Sequence, residues 1–280
     1  MDLLIIGVLS GLLGLAVGSF LSVVITRYPV MLQKKWRTEC REYLNLPIES
    51  ASKTFNLVLP RSHCPHCHTP LKARHNIPII SYCWLRGRCA YCRQKIACFY
   101  PTVELISALA TVSVILHFAI TWKTLAAWIL TWVLIALSFI DFKTQLIPDD
   151  ISLSTLWLGL FLSLFHVFIT PNEAIAGALL GYGLLWITAH LFKWIRKKEG
   201  LGQGDCKMLG MLGAWLGVTA VLNILLTATV LGLIYGSVLL LMRKINRQQP
   251  IPFGPFIAIA GWLNLLLGPF LWYAIITIPS

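Results

Sequence analysis

Residues 207–241 read KMLGMLGAWLGVTAVLNILLTATVLGLIYGSVLLL, with Lys207 as the one charge. A membrane-spanning helix takes about 17–25 apolar residues. The stretch is therefore either one overlong helix or a tight hairpin of two short spans. The flanking charges decide between them, because cytoplasmic loops collect Lys and Arg. Segment 27–102 carries 13 Lys+Arg against 3 acids. Lys193, Arg196, Lys197, Lys198 and Lys207 cluster at the start of the stretch, and Arg243, Lys244 and Arg247 follow it. A hairpin puts all three clusters on one side, with Lys123 alone on the other. A single helix would carry the last cluster across. The hairpin reading predicts about eight transmembrane helices with both termini outside the cytoplasm.

The rest of the composition agrees. The chain has 280 residues, 57% hydrophobic and 12% charged, whereas a soluble domain carries roughly 25% charged residues. Too few charges remain to cover a water-exposed surface, so the expected class is an all-α integral membrane protein. Further candidate spans are 3–26, 103–120, 124–141, 151–169, 174–194 and 252–277. The first opens MDLL without a basic leader region, and its apolar run is too long for a cleavable signal. The chain then divides into a first span (1–26), a polar cytoplasmic insertion (27–102) and a transmembrane core (103–280). The net charge of +12 follows from this topology and requires no nucleic acid. The basic face would instead attract anionic membrane lipid.

Seven of the eight cysteines lie in the insertion. Four of them form Cys64-Pro-His-Cys67 and Cys89-Ala-Tyr-Cys92, with 21 residues between the pairs. Two such hooks predict a zinc-ribbon-like site, because each places two thiolates on adjacent corners of a tetrahedron. A cytoplasmic position is reducing and disfavours disulfides. A small polar module also draws folding free energy from a bound metal. His63, His66 and His68 crowd the first hook, but a full set of four thiols is already present. Cys40, Cys83 and Cys98 fall outside the pattern and are expected to be buried small residues, and Cys206 a packing residue. In Tyr100-Pro101-Thr102-Val103-Glu104, Pro101 suits a helix's first turn. Glu104 would then stand near the helix's positive end.

A carboxylate in a poorly hydrated site costs several kcal/mol unless it has partners. Two acids border the apolar sequence: Asp141 in SFIDFKTQLIPDD, and Asp205 in GQGDCK. The expected topology puts both at the cytoplasmic border, since two spans and a return separate them. Two carboxyls in one site hold one proton between them. The charged member can activate water while the neutral member protonates a leaving amine. Gly202 and Gly204 leave room for an approaching peptide chain. Simpler readings stand beside this one. Asp141 could pair with Lys143, and Asp205 could cap the helix that begins at Cys206. Asp149 and Asp150 suit helix capping, and Asp149 also rivals Asp141 as the first acid.

Assembled in order, these blocks resemble the bacterial type IV prepilin peptidases, membrane proteases of the GxGD aspartyl class. The matching stretches are GSFLSVVITRYPVML (18–32), CPHCHTPLKARHNIPIISYCWLRGRCAYC (64–92), FYPTVEL (99–105), IDFKTQLIPD (140–149), GQGDCKMLGMLGAWLG (202–217) and PFGPFIAIAG (252–261). The resemblance implies that Asp141 and Asp205 are the catalytic pair and that Cys64, Cys67, Cys89 and Cys92 bind Zn2+. It implies cleavage of the basic leader of type IV prepilins or pseudopilins after a glycine. It also implies N-methylation of the new N-terminal residue, often Phe, from S-adenosylmethionine, to which it assigns no residue. The expected location is the bacterial inner membrane, multi-pass, with the active site on the cytoplasmic side. Ser22 stands where the family usually has Asn, and Cys206 where an apolar residue is usual. A basic leader would face a basic insertion, where Glu39, Glu42 and Glu49 are candidate contacts. The alternative is a zinc-ribbon membrane scaffold without protease activity.

Overall fold

A computed structural model describes residues 3–47, 55–197, 200, 202–242 and 251–268. Lys198, Glu49, the cluster Arg243, Lys244 and Arg247, and the last expected span beyond 268 lie outside the described residues. The helices are α1 (Leu3–Tyr43), α2 (Ile80–Trp84), α3 (Phe99–Phe118), α4 (Trp122–Thr144), α5 (Asp149–Ser163), α6 (Pro171–Arg196), α7 (Gln203–Leu216), α8 (Val218–Leu241) and α9 (Gly254–Leu267). Extended structure among the described residues is confined to two isolated bridges in the insertion. Helices α1–α3 belong to one compact unit, residues 1–119, and α4–α9 to a second, 120–280.

Among the described residues a helix stands at each of the eight positions where a span was expected. Five of them, α1, α3, α4, α6 and α8, are long and apolar enough to cross a membrane. The other three, α5, α7 and α9, have 15, 14 and 14 residues. At about 1.5 Å per residue they are shorter than a bilayer core of about 30 Å. The apolar run 207–241 does break in two, at Gly217. There φ is +86°, a backbone conformation that glycine adopts without penalty. The Gly217 amide donates to the Gly213 carbonyl and closes α7, and α8 starts at the next residue.

The first helix departs from expectation. Polarity changes at residue 27, yet α1 continues unbroken to Tyr43 with Pro29 inside it. A proline removes one backbone hydrogen bond and crowds the carbonyl four residues earlier, which bends a helix more readily than it ends one. Beyond Pro29, helix formers such as Lys34, Lys35, Glu39 and Glu42 continue the helix, and Lys35 pairs with Glu39 at 3.9 Å. Helix α3 likewise begins early, at Phe99, so Glu104 sits in its second turn. Its Oε2 accepts the Ile79 amide at 2.8 Å, tying the α2 approach to α3.

In both units small residues let helix backbones touch. An added Cβ would stand 2.6 Å from the Ala108 Cα at Gly14, and 2.7 Å from the Glu104 Cα at Gly18. This glycine face seats α1 on α3. In the second unit Gly177 and Gly181 of α6 meet Gly210 and Gly213 of α7. A Cβ on Gly181 would lie 2.6 Å from the Leu209 carbonyl oxygen, and one on Gly213 would clash with the Gly177 backbone. Membrane helices associate through such close packing, because lipid offers no hydrophobic driving force between them. Helix α7 is therefore enclosed by its neighbours. Met208, Leu209, Met211 and Leu212 are fully buried, and Trp215 donates from Nε1 to the Thr155 carbonyl at 2.8 Å. Replacing Gly213 by Val is expected to lower stability by about 3 kcal/mol, the upper end of ordinary overpacking. Thermal unfolding in detergent checks this, with Gly183→Ala as the neutral control, since nothing lies within 4 Å of a Cβ there.

Candidate functional site

The second unit gathers acids at one end of its bundle. Asp141 lies in the last turn of α4, which stops when Gln145 turns left-handed (φ +52°) and its amide donates to the Asp141 carbonyl. Asp205 is the third residue of α7, behind Gly202 and Gly204. Both carboxylates are buried, 5% and 8% exposed. Asp141 Oδ2 accepts the Gly254 amide at 3.0 Å. That amide opens α9, so the positive end of a helix faces the acid. A side chain at 254 is sterically barred, because its Cβ would stand 2.7 Å from the same oxygen.

One residue joins the two sides. The Ile147 side chain fills the space over Gly204 and also borders Gly254, where an added Cβ would meet it at 2.8 Å and 3.1 Å. Asp141 is held by Gly254 and Asp205 follows Gly204, so Ile147 draws the two acids to one corner. Their charges are within Coulombic range of each other. Asp205 Oδ1 is buried and has no hydrogen-bond partner among the described residues. A buried oxygen left unpaired is costly, and such exceptions in native folds call for an explanation.

The capping roles find little support. The N-cap of α7 is Gly202, not Asp205, and no side chain caps this helix. Asp149 opens α5 but caps nothing. Instead both its oxygens bind Lys207 Nζ, at 2.7 and 2.6 Å. Its carboxylate is 54% exposed, unlike the two buried acids. Sequence reasoning missed Gly254, although PFGP, with a proline just inside a helix start, marks where α9 begins. It also missed Ile147 and the Asp149–Lys207 pair.

The first unit brings together Cys64, Cys67, Cys89 and Cys92. Their sulfurs all lie within 4.8 Å of one another. Sulfurs about 2.3 Å from a shared tetrahedral metal stand about 3.8 Å apart, and Cys64 Sγ and Cys92 Sγ are 3.8 Å apart. The two hooks are copies in local geometry. Each is pinned by a bridge, His63 to Pro70 and Arg88 to Lys95. Each ends in a left-handed residue, His68 (φ +55°) and Arg93 (φ +61°), whose amide returns to the carbonyl of the first cysteine. The thiols differ in acidity. The hydrogen bonds from Thr69, side chain and backbone, bring Cys67 down to about 6. The Gln94 backbone favours a Cys92 thiolate, but burial and the neighbouring thiols push it up to about 11. Four sulfurs this close cannot all ionise unless a cation joins them, and that chemistry suits a metal.

The histidines stay outside this set, with His63 Nδ1 against the Arg61 carbonyl at 3.0 Å. Cys40, Cys83 and Cys98 are exposed, contrary to expectation, because α1 and α2 present them on outer faces and Cys98 precedes α3. Cys206 is buried as expected, 2% exposed.

Comparison with known proteins places this geometry in context. Residues 12–118 match the Bacterial Peptidase A24 N-terminal domain, and residues 128–237 match the Type IV leader peptidase family. The Prepilin leader peptidase/N-methyltransferase of Aeromonas hydrophila is 47% identical over 94% of this chain and 91% of its own length. The protein of the same name from Stutzerimonas stutzeri is 48% identical over 91% and 89%, and that from Neisseria gonorrhoeae 40% over 95% and 92%. No solved structure matches the chain. With both domains matched in order and relatives this similar along nearly the whole length, the chain belongs to the type IV leader peptidase family.

Proposed function

We propose that the protein cleaves the basic leader from type IV prepilins or pseudopilins and then N-methylates the residue so exposed. The observation that supports this reading is Ile147 packing against both Gly204, next to buried Asp205, and Gly254, which binds buried Asp141, although the two acids are 64 residues apart in sequence. A water placed between the two carboxyls loses its proton to the ionised member and attacks the scissile carbonyl carbon. The protonated member then gives its proton to the leaving amine. Desolvation at this corner strengthens both interactions. The Gly254 amide keeps Asp141 oriented throughout.

The substrate's apolar helix would lie in the bilayer, with its cut point level with the acids. The Lys and Arg clusters support a cytoplasmic position for that level, and hence an inner-membrane, multi-pass protein in contact with lipid. Segment 27–102 serves as the cytoplasmic domain between the first span (1–26) and the protease core (103–280). Cys64, Cys67, Cys89 and Cys92 would hold Zn2+ as a closed structural site. The methyl donor would be S-adenosylmethionine. Incubating the purified protein with a prepilin and S-adenosylmethionine, then weighing the product by mass spectrometry, tests both activities. A peptide lacking its leader and heavier by one methyl group is expected. An intact prepilin would leave a zinc-bearing scaffold as the surviving reading.

A further inference from the structure

The Asp149–Lys207 pair has no place in that chemistry, yet it stands beside it. Lys207 is two residues beyond Asp205, in the first turns of α7. Asp149 is the first residue of α5, eight beyond Asp141. Ile147, two residues before Asp149, packs against Gly204 and Gly254. The loop leaving the first acid is thus fastened to the turn bearing the second at two points, one apolar and one ionic. The ionic point is bidentate at 2.6 and 2.7 Å across 58 residues of sequence.

We propose that the Asp149–Lys207 ion pair is a positioning device for the Asp141/Asp205 dyad. This rests on the proteolytic reading above. An ion pair with one side chain 54% exposed adds little to stability, because water screens it and ordering both chains costs entropy. Its geometry still matters. Catalytic groups must be held to within a fraction of an ångström, and a displacement of about 1 Å can cost a hundredfold in rate. Without the pair, the first turns of α7 lose their ionic link to Asp149, and that end of the helix can shift while Trp215 still holds the other end to α5. Asp205 then shifts relative to Asp141, which stays bound to Gly254. Lys207 and Asp149 touch no reacting atom in this scheme; they act through Asp205.

The test is a charge reversal in the full-length protein, with kcat and KM measured on a purified prepilin. Asp149→Lys and Lys207→Asp should each lower kcat about tenfold, a partial misplacement, with KM and the melting temperature nearly unchanged. The double reversal should regain most of the lost kcat. Asp149→Asn, which keeps the shape, should show the single-variant loss where reversed charges impair accumulation. A double reversal no better than the singles would overturn the proposal. So would a loss confined to KM that grows with leader charge, which would make Asp149 a leader-binding acid. A melting temperature that falls in step with kcat would also overturn it, by showing a structural role. Asp141→Asn, run in parallel, separates the two readings. If that variant still cleaves, the dyad itself fails, whatever the ion pair does.

Discussion

Replacing Asp205 by Asn is expected to reduce prepilin cleavage by at least about a thousandfold, the scale of lost general acid–base catalysis. Asp141→Asn should do the same. Asparagine keeps the shape of each side chain but can neither take nor release the required proton. Asp205 is the more informative position. Its buried Oδ1 has no partner among the described residues, and the Gly202 backbone hydrogen bond to the carboxylate can still be accepted by an asparagine carbonyl, so the substitution removes function at little structural cost. Asp141 does have a partner, the Gly254 amide, and the asparagine carbonyl can still accept it. Both variants should therefore accumulate in membranes and melt near the parent. Cleavage of a purified prepilin, followed by mass, checks the rate. Asp149→Asn, by contrast, should cost only about tenfold, since positioning errors of this kind cost far less than loss of a reacting group.

The second large effect is expected in the other unit. Cys64→Ser or Cys89→Ser should abolish metal binding, because both sulfurs are buried, 6% and 4% exposed, and every sulfur in the set neighbours the other three. Structural zinc in small domains supplies folding free energy on the order of 10 kcal/mol, more than the few apolar side chains of the insertion can replace. The variants should lack zinc by elemental analysis and be cut rapidly by protease within 55–98. Both acids lie in the unit 120–280. Leader cleavage should therefore persist within about tenfold, read from the mass of the product. Acid should release the metal in the parent as well, since protons compete with zinc for thiolates.

What could be read from the sequence was local or periodic. Two CxxC hooks encode their own turns, so the four cysteines that cluster were identifiable without knowing any distant contact. Apolar runs marked the helices, and the flanking Lys and Arg clusters marked a break within the longest run, but not its place at Gly217. Helix ends were less legible. Polarity changes at residue 27, but α1 runs on to Tyr43 because the charged residues beyond it are good helix formers. Exposure of Cys40, Cys83 and Cys98 was also hidden, since it depends on which face each helix turns outward. At the acid corner, Asp141 and Asp205 stood out as carboxylates beside apolar sequence. Their supports did not. Gly254 is 113 residues from Asp141 and Lys207 is 58 from Asp149, and pairings over such distances are decided by packing rather than by pattern.

The most direct test of the dyad is a double-mutant comparison by single-turnover mass spectrometry of a prepilin at enzyme excess. Two acids that work on one water form one unit, so Asp141→Asn combined with Asp205→Asn should cleave no more slowly than either single variant. Losses that multiply, or a single variant that retains the parent rate, would show that the acids act separately and would contradict the shared site.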